Sequence, residues 1–196
     1  MVRNRFVAIM AAVVLGIIQP AAVARAQAPQ EGIKVHGHWV IDIRNPDGSL
    51  ASHLDFENAL TPTGAQVLSD ILSRRYTTGF WAVYLVGGAA GGPCPPAGSV
   101  CGLWETGAGT PPTGYSVLTV GESNGAVVLT GSIQASDQGF IKGVETHLLC
   151  SAATVGNCRD LSGGGEGSLF TLFFLQDAAQ VSPNQLIQVS VTLSFS

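Results

Sequence analysis

The last segment of the chain, residues 186–196, alternates strictly between apolar and polar side chains. Successive residues of a β-strand point to opposite faces, so this segment predicts a strand with one buried and one polar face. Earlier segments alternate in the same way and are separated by turn sequences at short spacing, namely Asn45-Pro46-Asp47-Gly48, Glu122-Ser123-Asn124-Gly125 and Ser136-Asp137-Gln138-Gly139. The pattern predicts a mainly β fold, an antiparallel β-sandwich of about eight strands.

One segment has helical rather than strand periodicity. Apolar side chains recur at three- and four-residue spacing over residues 62–75, which predicts an amphipathic helix with Thr61 as its N-cap. Residues 87–114 show neither period and are rich in Gly and Pro, so we expect an elaborate surface loop there. The predicted strands are residues 34–44, 50–57, 80–86, 115–120, 126–135, 140–149, 168–175 and 186–196.

The N-terminus predicts a secretory signal peptide. Two arginines precede an apolar run, residues 6–23, which is followed by the small side chains of Ala24-Arg25-Ala26. This order of a basic, an apolar and a small-residue region is the pattern that signal peptidase cleaves. A membrane anchor is the alternative, but Gln19-Pro20 interrupts the apolar run near its end. We expect residues 1–26 to be removed, leaving residues 27–196 as a single domain in the extracellular space, in the periplasm or at the cell surface.

Export places the cysteines in an oxidising environment, where an even number predicts disulfide bonds. The four cysteines form two closely spaced pairs along the chain, Cys94 with Cys101 and Cys150 with Cys158. We expect these local pairs, each of which would staple a loop rich in Gly, Pro or Asn, although three connectivities are open. A zinc site of four thiolates is the other interpretation, and it usually needs closer spacing and a reducing compartment.

The low charge of the chain excludes several classes of protein. Only 11% of the residues are charged, less than half of the roughly 25% found in average soluble domains. A disordered chain, a coiled coil and a basic nucleic-acid-binding protein all need more charge. Without the signal peptide the domain would keep 6 basic and 13 acidic residues, so we expect neither nucleic acid nor an anionic membrane surface as a partner. No later segment is long and apolar enough to predict a transmembrane helix.

Residues 121–125, Gly-Glu-Ser-Asn-Gly, match the G-x-S-x-G pattern of a serine nucleophile, and Asp137 and His147 follow in triad order. That chemistry needs a strand that leads directly into a helix, so that the serine is held over an oxyanion hole. Here another β-branched segment follows the pattern. We therefore predict a hairpin turn at Asn124-Gly125 and no catalytic residue. No Gly-rich phosphate loop precedes a helix either, so we expect no cofactor.

Four residues of the first predicted hairpin form a candidate metal site: His36, His38, His53 and Asp55. His36 and His38 lie on one face of the first predicted strand, and His53 and Asp55 lie on one face of the second. All four would meet over one ion if the paired residue numbers sum to an odd number, as with Val40 opposite His53, and the apolar pattern favours that register. A type I turn with a bulge at Gly48 would instead give an even sum and separate the two pairs. A metal site and a polar outer face therefore both remain open.

The tryptophans suggest a carbohydrate-binding alternative. Trp39 and Trp81 lie in predicted strands and are expected in the core, whereas Trp104 lies in the long cysteine-containing segment. An exposed tryptophan is a common contact for a ligand or a protein partner. Trp104 is therefore the candidate ligand contact of a carbohydrate- or metal-binding module. Hydrolysis would need two carboxylates about 5 to 10 Å apart, and the sequence does not pair the acids.

Several short motifs follow one another in a familiar order: Asn58-Ala59-Leu60-Thr61-Pro62-Thr63-Gly64, Leu118-Thr119-Val120, Val128-Leu129-Thr130-Gly131-Ser132, Leu169-Phe170-Thr171 and Pro183-Asn184-Gln185-Leu186-Ile187-Gln188-Val189. In this order the chain resembles tail, baseplate and neck-type structural proteins of tailed phages, and secreted bacterial proteins with the same pattern. The resemblance implies a β-sandwich used for assembly or attachment, and no catalytic residue carries over. The signal peptide and the cysteine loops depart from it, because phage virion proteins normally have neither.

The sequence therefore predicts a secreted, non-catalytic structural or surface-attachment protein. Its expected partner is a further copy of itself or a cell-surface component. The alternating last strand is well suited to pairing with a neighbouring subunit. The alternatives are the carbohydrate- or metal-binding module and a small outer-membrane β-barrel, whose closing strand also alternates.

Overall fold

Strands dominate the part of the chain that the computed structural model describes, which is residues 33–74, 78–87, 101–105, 115–150 and 168–196. These residues contain one α-helix, α1 (Pro62–Leu72), and nine strands. The strands are β1 (Val35–Arg44), β2 (Leu50–Ala59), β3 (Thr78–Val86), β4 (Cys101–Glu105), β5 (Tyr115–Ser123), β6 (Ala126–Gln134), β7 (Gly139–Cys150), β8 (Ser168–Val181) and β9 (Leu186–Phe195).

All nine strands belong to one mixed sheet in the order β2-β1-β9-β6-β5-β4-β3-β7-β8. Neighbouring strands are antiparallel except β4 and β5, which run parallel. The sheet curls until its end strands meet at a bridge between Leu60 and Thr171, so it is nearly closed into a barrel. The prediction of a mainly β chain with one helix is confirmed. The predicted sandwich of two antiparallel sheets is replaced by this single curled sheet.

The alternating C-terminal strand lies in the middle of the sheet. β9 pairs with β1 on one side and with β6 on the other. Its apolar side chains Ile187, Val189, Val191 and Leu193 are buried, which confirms the predicted faces. The prediction that this strand pairs with a neighbouring subunit is wrong, because both of its hydrogen-bonding edges are already used within the chain.

Two connections also differ from the prediction. The turn at residues 136–139 does not join neighbours, because β6 pairs with β5 and β9 while β7 pairs with β3 and β8. The segment predicted as one long loop, residues 87–114, contains β4, which lies between β3 and β5. β4 has only 5 residues, so its alternation is too short to identify it as a strand from the sequence.

The core lies inside the curled sheet. Trp39, Ile41 and Ile43 of β1 are fully buried and pack with Leu103 of β4 and Val144 of β7 in one apolar cluster that draws on nearly every strand. Because side chains alternate between faces, each strand contributes every second residue to this cluster. The opposite side chains form the outer face of the sheet, on which the candidate sites lie.

The closing segment, residues 58–64, holds the end of β2 and the start of α1 against β8. Thr61 donates from its backbone N–H to Phe170 O at 2.9 Å and from its hydroxyl to Leu169 O at 2.7 Å. The same hydroxyl accepts from the N–H of Gly64 at 2.9 Å, which confirms the predicted N-cap. Gly64 packs so tightly that a Cβ there would collide with Phe170 O. Thr61 therefore both starts the helix and joins it to the last strand of the sheet.

Asn58 is buried at the same junction. With its amide oriented as its neighbours require, it accepts from Trp39 Nε1 and Thr171 Oγ1, both at 3.0 Å, and donates to Gly37 O at 3.3 Å. Thr171 also lies 2.7 Å from the hydroxyl of Thr146. This series of hydrogen bonds connects β1, β2, β8 and β7 inside the protein.

The helix ends earlier than predicted. α1 ends at Leu72, followed by Ser73 as C-cap and by Arg74 with a left-handed φ of 59°. A left-handed residue stops helical hydrogen bonding, so the predicted end at residue 75 is too late. No helix among the described ranges is long and apolar enough to cross a lipid bilayer.

Most of the predicted export features lie outside the described residues. These are the signal peptide, residues 1–26, and the cysteines Cys94 and Cys158. Cys101 begins β4 and is fully buried, and Cys150 ends β7. The two disulfide bonds therefore stay a prediction.

We expect Gly64→Ala to lower the free energy of unfolding by about 1–3 kcal/mol, because the new methyl group must push α1 away from β8. Gly121→Ala is the matched control, since a Cβ at that position meets no atom within 4 Å. Urea denaturation measures both variants. Equal stability of the two variants would show that the closing segment is not tightly packed.

We expect Asn58→Ala to lower the free energy of unfolding by about 1–3 kcal/mol, because it leaves the buried Trp39 N–H without an acceptor. Gln180→Ala removes an amide from an exposed position of β8 and should change stability by less than about 0.5 kcal/mol. Thermal or urea unfolding of the two variants provides the comparison. An unchanged Asn58→Ala variant would contradict the buried hydrogen-bond series.

Candidate functional site

The hairpin of β1 and β2 carries the four predicted metal-binding residues on its outer face. Asp42 lies opposite His53, which is the odd-sum register that the apolar pattern favours. The turn itself has the even-sum pairing of Asn45 with Ser49. A β-bulge next to Ile43 joins the two registers, so each alternative is correct for one part of the hairpin.

The side chains on this face form carboxylate–imidazole pairs. His38 Nε2 lies 2.8 Å from Asp55 Oδ1, and His53 Nδ1 lies 2.6 Å from Asp42 Oδ1. Arg44 donates to Asp42 Oδ2 at 3.1 Å. The hydrogen bond from His53, more than any other contact, lowers the pKa of Asp42 below its usual value of 3.8.

These pairs lie on a polar surface that is open to solvent. The side chains of His38 and Asp55 are 47% and 55% exposed, and exposed ion pairs contribute only about 0.2–1 kcal/mol. Among the described residues, no group of three or more His, Cys, Asp or Glu side chains is arranged to hold a metal ion. Of the four predicted ligands, the structure pairs His38 with Asp55, whereas His53 pairs with Asp42 instead and His36 is exposed at the start of β1. Metal binding by these residues stays a prediction.

A second group of side chains, the outer aromatic cluster, lies on the outer face of four strands: Tyr84 of β3, Trp104 of β4, Tyr115 of β5, and Glu145 and His147 of β7. Val83 and Leu85 point into the core, so Tyr84 between them points outward. Tyr84 is nevertheless buried, in a small cluster separate from the core, with Trp104 and Tyr115 packed against it.

The rings of this cluster contact one another in series. The centroid of His147 lies 4.5 Å from that of Tyr84, Tyr84 lies 5.8 Å from Tyr115, and Tyr115 lies 5.9 Å from Trp104. All three contacts are edge-to-face, at interplanar angles of 80–85°, an arrangement that aromatic rings favour. His147 Nε2 also lies 2.7 Å from Glu145 Oε2.

Trp104 lies in a strand, not in a loop. It pairs with Ala82 of β3 and with Val117 of β5, and it is partly buried. The neighbouring Gly102 leaves the space that the ring of Tyr115 fills. The prediction of an exposed loop residue is therefore wrong, because the segment around Trp104 inserts into the sheet. Its role as a ligand contact stays a prediction.

Two polar atoms of the cluster are buried without a hydrogen bond. Within the part of the chain that the structure describes, Trp104 Nε1 and His147 Nδ1 have no hydrogen-bond partner. Leaving a buried polar group unsatisfied costs about 1–3 kcal/mol. Such groups in a folded protein require an explanation, and one explanation is a bound molecule that supplies the missing partners.

No pattern in the sequence indicates that four of these side chains lie together: Tyr84, Tyr115, Glu145 and His147. Their strands, β3, β5 and β7, are separated along the chain and are brought together by β4 and by the β3–β7 pairing. The only available signal was the alternation in β3, where Tyr84 stands between two core positions. That signal identifies an outward side chain but not its neighbours.

The G-x-S-x-G pattern is a hairpin turn, as predicted. Ser123 ends β5 and Ala126 begins β6, and Asn124 and Gly125 have φ values of 53° and 79°. Positive φ at both central positions is the geometry of a type I′ turn. Glu122 caps the turn by accepting from the N–H of Gly125 at 2.7 Å. No helix follows the serine, so the oxyanion geometry of a nucleophile elbow is not formed there.

Comparison with known proteins adds no assignment. No family model, no curated protein and no solved structure matches this chain. The resemblance to phage tail and baseplate proteins gains no support from these comparisons and stays a prediction.

We expect the pKa of Asp42 to rise towards 3.8 in His53→Ala, because the variant removes the strongest hydrogen bond to the carboxylate. In the unmodified protein the lowered pKa stabilises the folded state above pH 3.8, and this contribution is lost as the pH falls through the folded-state pKa. The variant should therefore be less stable near neutral pH and lose less stability in acid. Carboxyl NMR titration measures the pKa, and His36→Ala is the control. An unchanged Asp42 pKa in His53→Ala would contradict this assignment.

Proposed function

We propose that this protein is a secreted, non-catalytic structural protein that assembles with further copies of itself through the two end strands of its sheet. Export is supported by the N-terminal pattern of the sequence. A non-catalytic role is supported by the hairpin geometry of the serine motif. Self-assembly is supported by the junction between β2 and β8, which is the observation that carries the proposal.

The end strands meet over only part of their length. Among the described residues, the strand pairing between β2 and β8 consists of the bridge of Leu60 with Thr171. Next to it, the rings of Phe56 and Phe173 stack with their centroids 4.6 Å apart. β2 begins ten residues before the bridge, at Leu50, and β8 continues to Val181. Among the described residues, the part of β2 before the bridge and the part of β8 after it therefore present hydrogen-bonding edges.

Exposed apolar side chains flank these edges. Phe174 of β8 is 64% exposed and Leu50 of β2 is 52% exposed. Strand edges with apolar side chains are templates for pairing with another chain. The second copy is the favoured occupant because β2 and β8 already recognise each other within one molecule. β2 of one copy would pair with β8 of the next along the parts of these strands that lie outside the closing junction.

Such pairing joins two different surfaces, so it is head-to-tail. A head-to-tail contact forms a ring if the rotation closes and a filament if it does not. Repeated assembly of this kind is what the resemblance to tail and baseplate proteins also implies. A surface-attachment role fits the same architecture, because an array presents many copies of the outer face.

We expect the purified protein to form oligomers in sedimentation velocity experiments, and Phe174→Lys to shift it towards monomer. A charge at this position meets the desolvated edge of the partner strand and opposes pairing. Val117→Lys is the matched control, because Val117 is 50% exposed but lies on β5, whose two edges are both paired.

Three results would contradict this proposal. The first is a monomeric unmodified protein at all concentrations tested. The second is an oligomer that Phe174→Lys leaves intact, and the third is equal disruption by the Val117→Lys control. Circular dichroism spectra of both variants establish that the fold is kept.

A further inference from the structure

The outer aromatic cluster changes in exposure from one end to the other. His147 and Tyr84 are 8% and 4% exposed, whereas Trp104 and Tyr115 are partly exposed. Trp104 Nε1 and His147 Nδ1 are themselves buried, so a ligand reaches them only if the partly exposed rings of Trp104 and Tyr115 move aside. The cluster therefore combines partly exposed aromatic rings with polar atoms that are buried.

The two polar atoms without partners determine which hydrogen-bond donors and acceptors a ligand must have. Trp104 Nε1 is always a donor, so it requires an acceptor. His147 Nε2 faces the carboxylate of Glu145 at 2.7 Å, which favours a proton on Nε2 and makes Nδ1 an acceptor in the neutral ring. The missing partner of His147 is then a donor. A hydroxyl group can accept from Trp104 and can donate to His147.

The charge of the cluster limits the ligand further. Glu145 contributes the carboxylate of the cluster and is mostly buried, at 24% side-chain exposure. An anionic ligand would be repelled by this carboxylate in a site with reduced screening. The aromatic rings favour a ligand with apolar C–H surface between its hydroxyl groups. These requirements are those of a neutral sugar ring.

We infer that the outer aromatic cluster is a binding site for a neutral carbohydrate, with Trp104 and His147 as the residues that select hydroxyl groups. Trp104 donates to a ring or hydroxyl oxygen of the sugar, and His147 accepts from a second hydroxyl. Glu145 is a positioning residue, since it acts through its hydrogen bond to His147. This inference is independent of the assembly through β2 and β8, which lie at the ends of the sheet.

The test titrates the purified protein with neutral hexasaccharides of glucose, N-acetylglucosamine, mannose and xylose. NMR of the indole N–H groups follows binding, and Trp104→Phe assigns the signal of Trp104 and keeps an aromatic ring. We expect at least one neutral hexasaccharide to shift the Trp104 signal. We expect Trp104→Phe to weaken its binding about tenfold, the effect of losing one hydrogen bond. The hexamer of galacturonic acid should bind more weakly than the neutral sugar.

Trp81→Phe is the matched control, because Trp81 packs edge-to-face on Phe170 at 5.1 Å and lies outside the cluster. The control should bind the sugar as the unmodified protein does. Absence of a shift in every indole N–H signal with every neutral hexasaccharide overturns the inference, and this result needs no variant. Equal binding of the acidic hexamer, or equal affinity of Trp104→Phe and the unmodified protein, also overturns it.

Discussion

A sheet that curls into a barrel has to bring its first and last strands together, and here the closing segment does this with hydrogen bonds from a helix N-cap. Thr61 uses one hydroxyl to accept from Gly64 and to donate to Leu169 O on β8. Closure and helix formation therefore depend on the same atom. The rest of the fold follows from this link, because the core is enclosed only when β2 and β8 stay close.

The buried amide at Asn58 makes the closure specific. An apolar side chain would fill the same space in several registers, but the amide is satisfied only when Trp39, Gly37 and Thr171 are all in place. Buried polar networks are costly when they are partly satisfied, so they discriminate against misaligned arrangements. The position of this network also explains why β2 and β8 meet only near the bridge. Beyond the bridge, the described residues of β2 and β8 share no such network, and the proposed pairing with a second copy rests on this difference.

The faces of the strands could be predicted from the sequence, but their neighbours could not. Alternation in residues 186–196 correctly identified the buried side chains of β9. It did not indicate that β9 lies between β1 and β6, because alternation fixes which face is buried and not which strand is adjacent. β4 was missed because a short strand within a Gly- and Pro-rich segment carries too little periodicity. The helix start was predictable from Thr61 and Pro62, since capping is a local interaction.

The two candidate sites differ in how far water reaches their polar side chains, a property that no sequence motif indicates. His38 and Asp55 were visible in the sequence as potential ligands, and on the exposed hairpin they pair with each other. Trp104 and His147 were not visible as a pair, because 43 positions and two strand pairings separate them. They share a face on which water has little access. A polar atom on an exposed face is satisfied by solvent at almost no cost, whereas a polar atom in the aromatic cluster keeps its desolvation cost until a partner arrives. That difference in desolvation, and not the residue types, favours the aromatic cluster over the hairpin as the place where a ligand gains affinity.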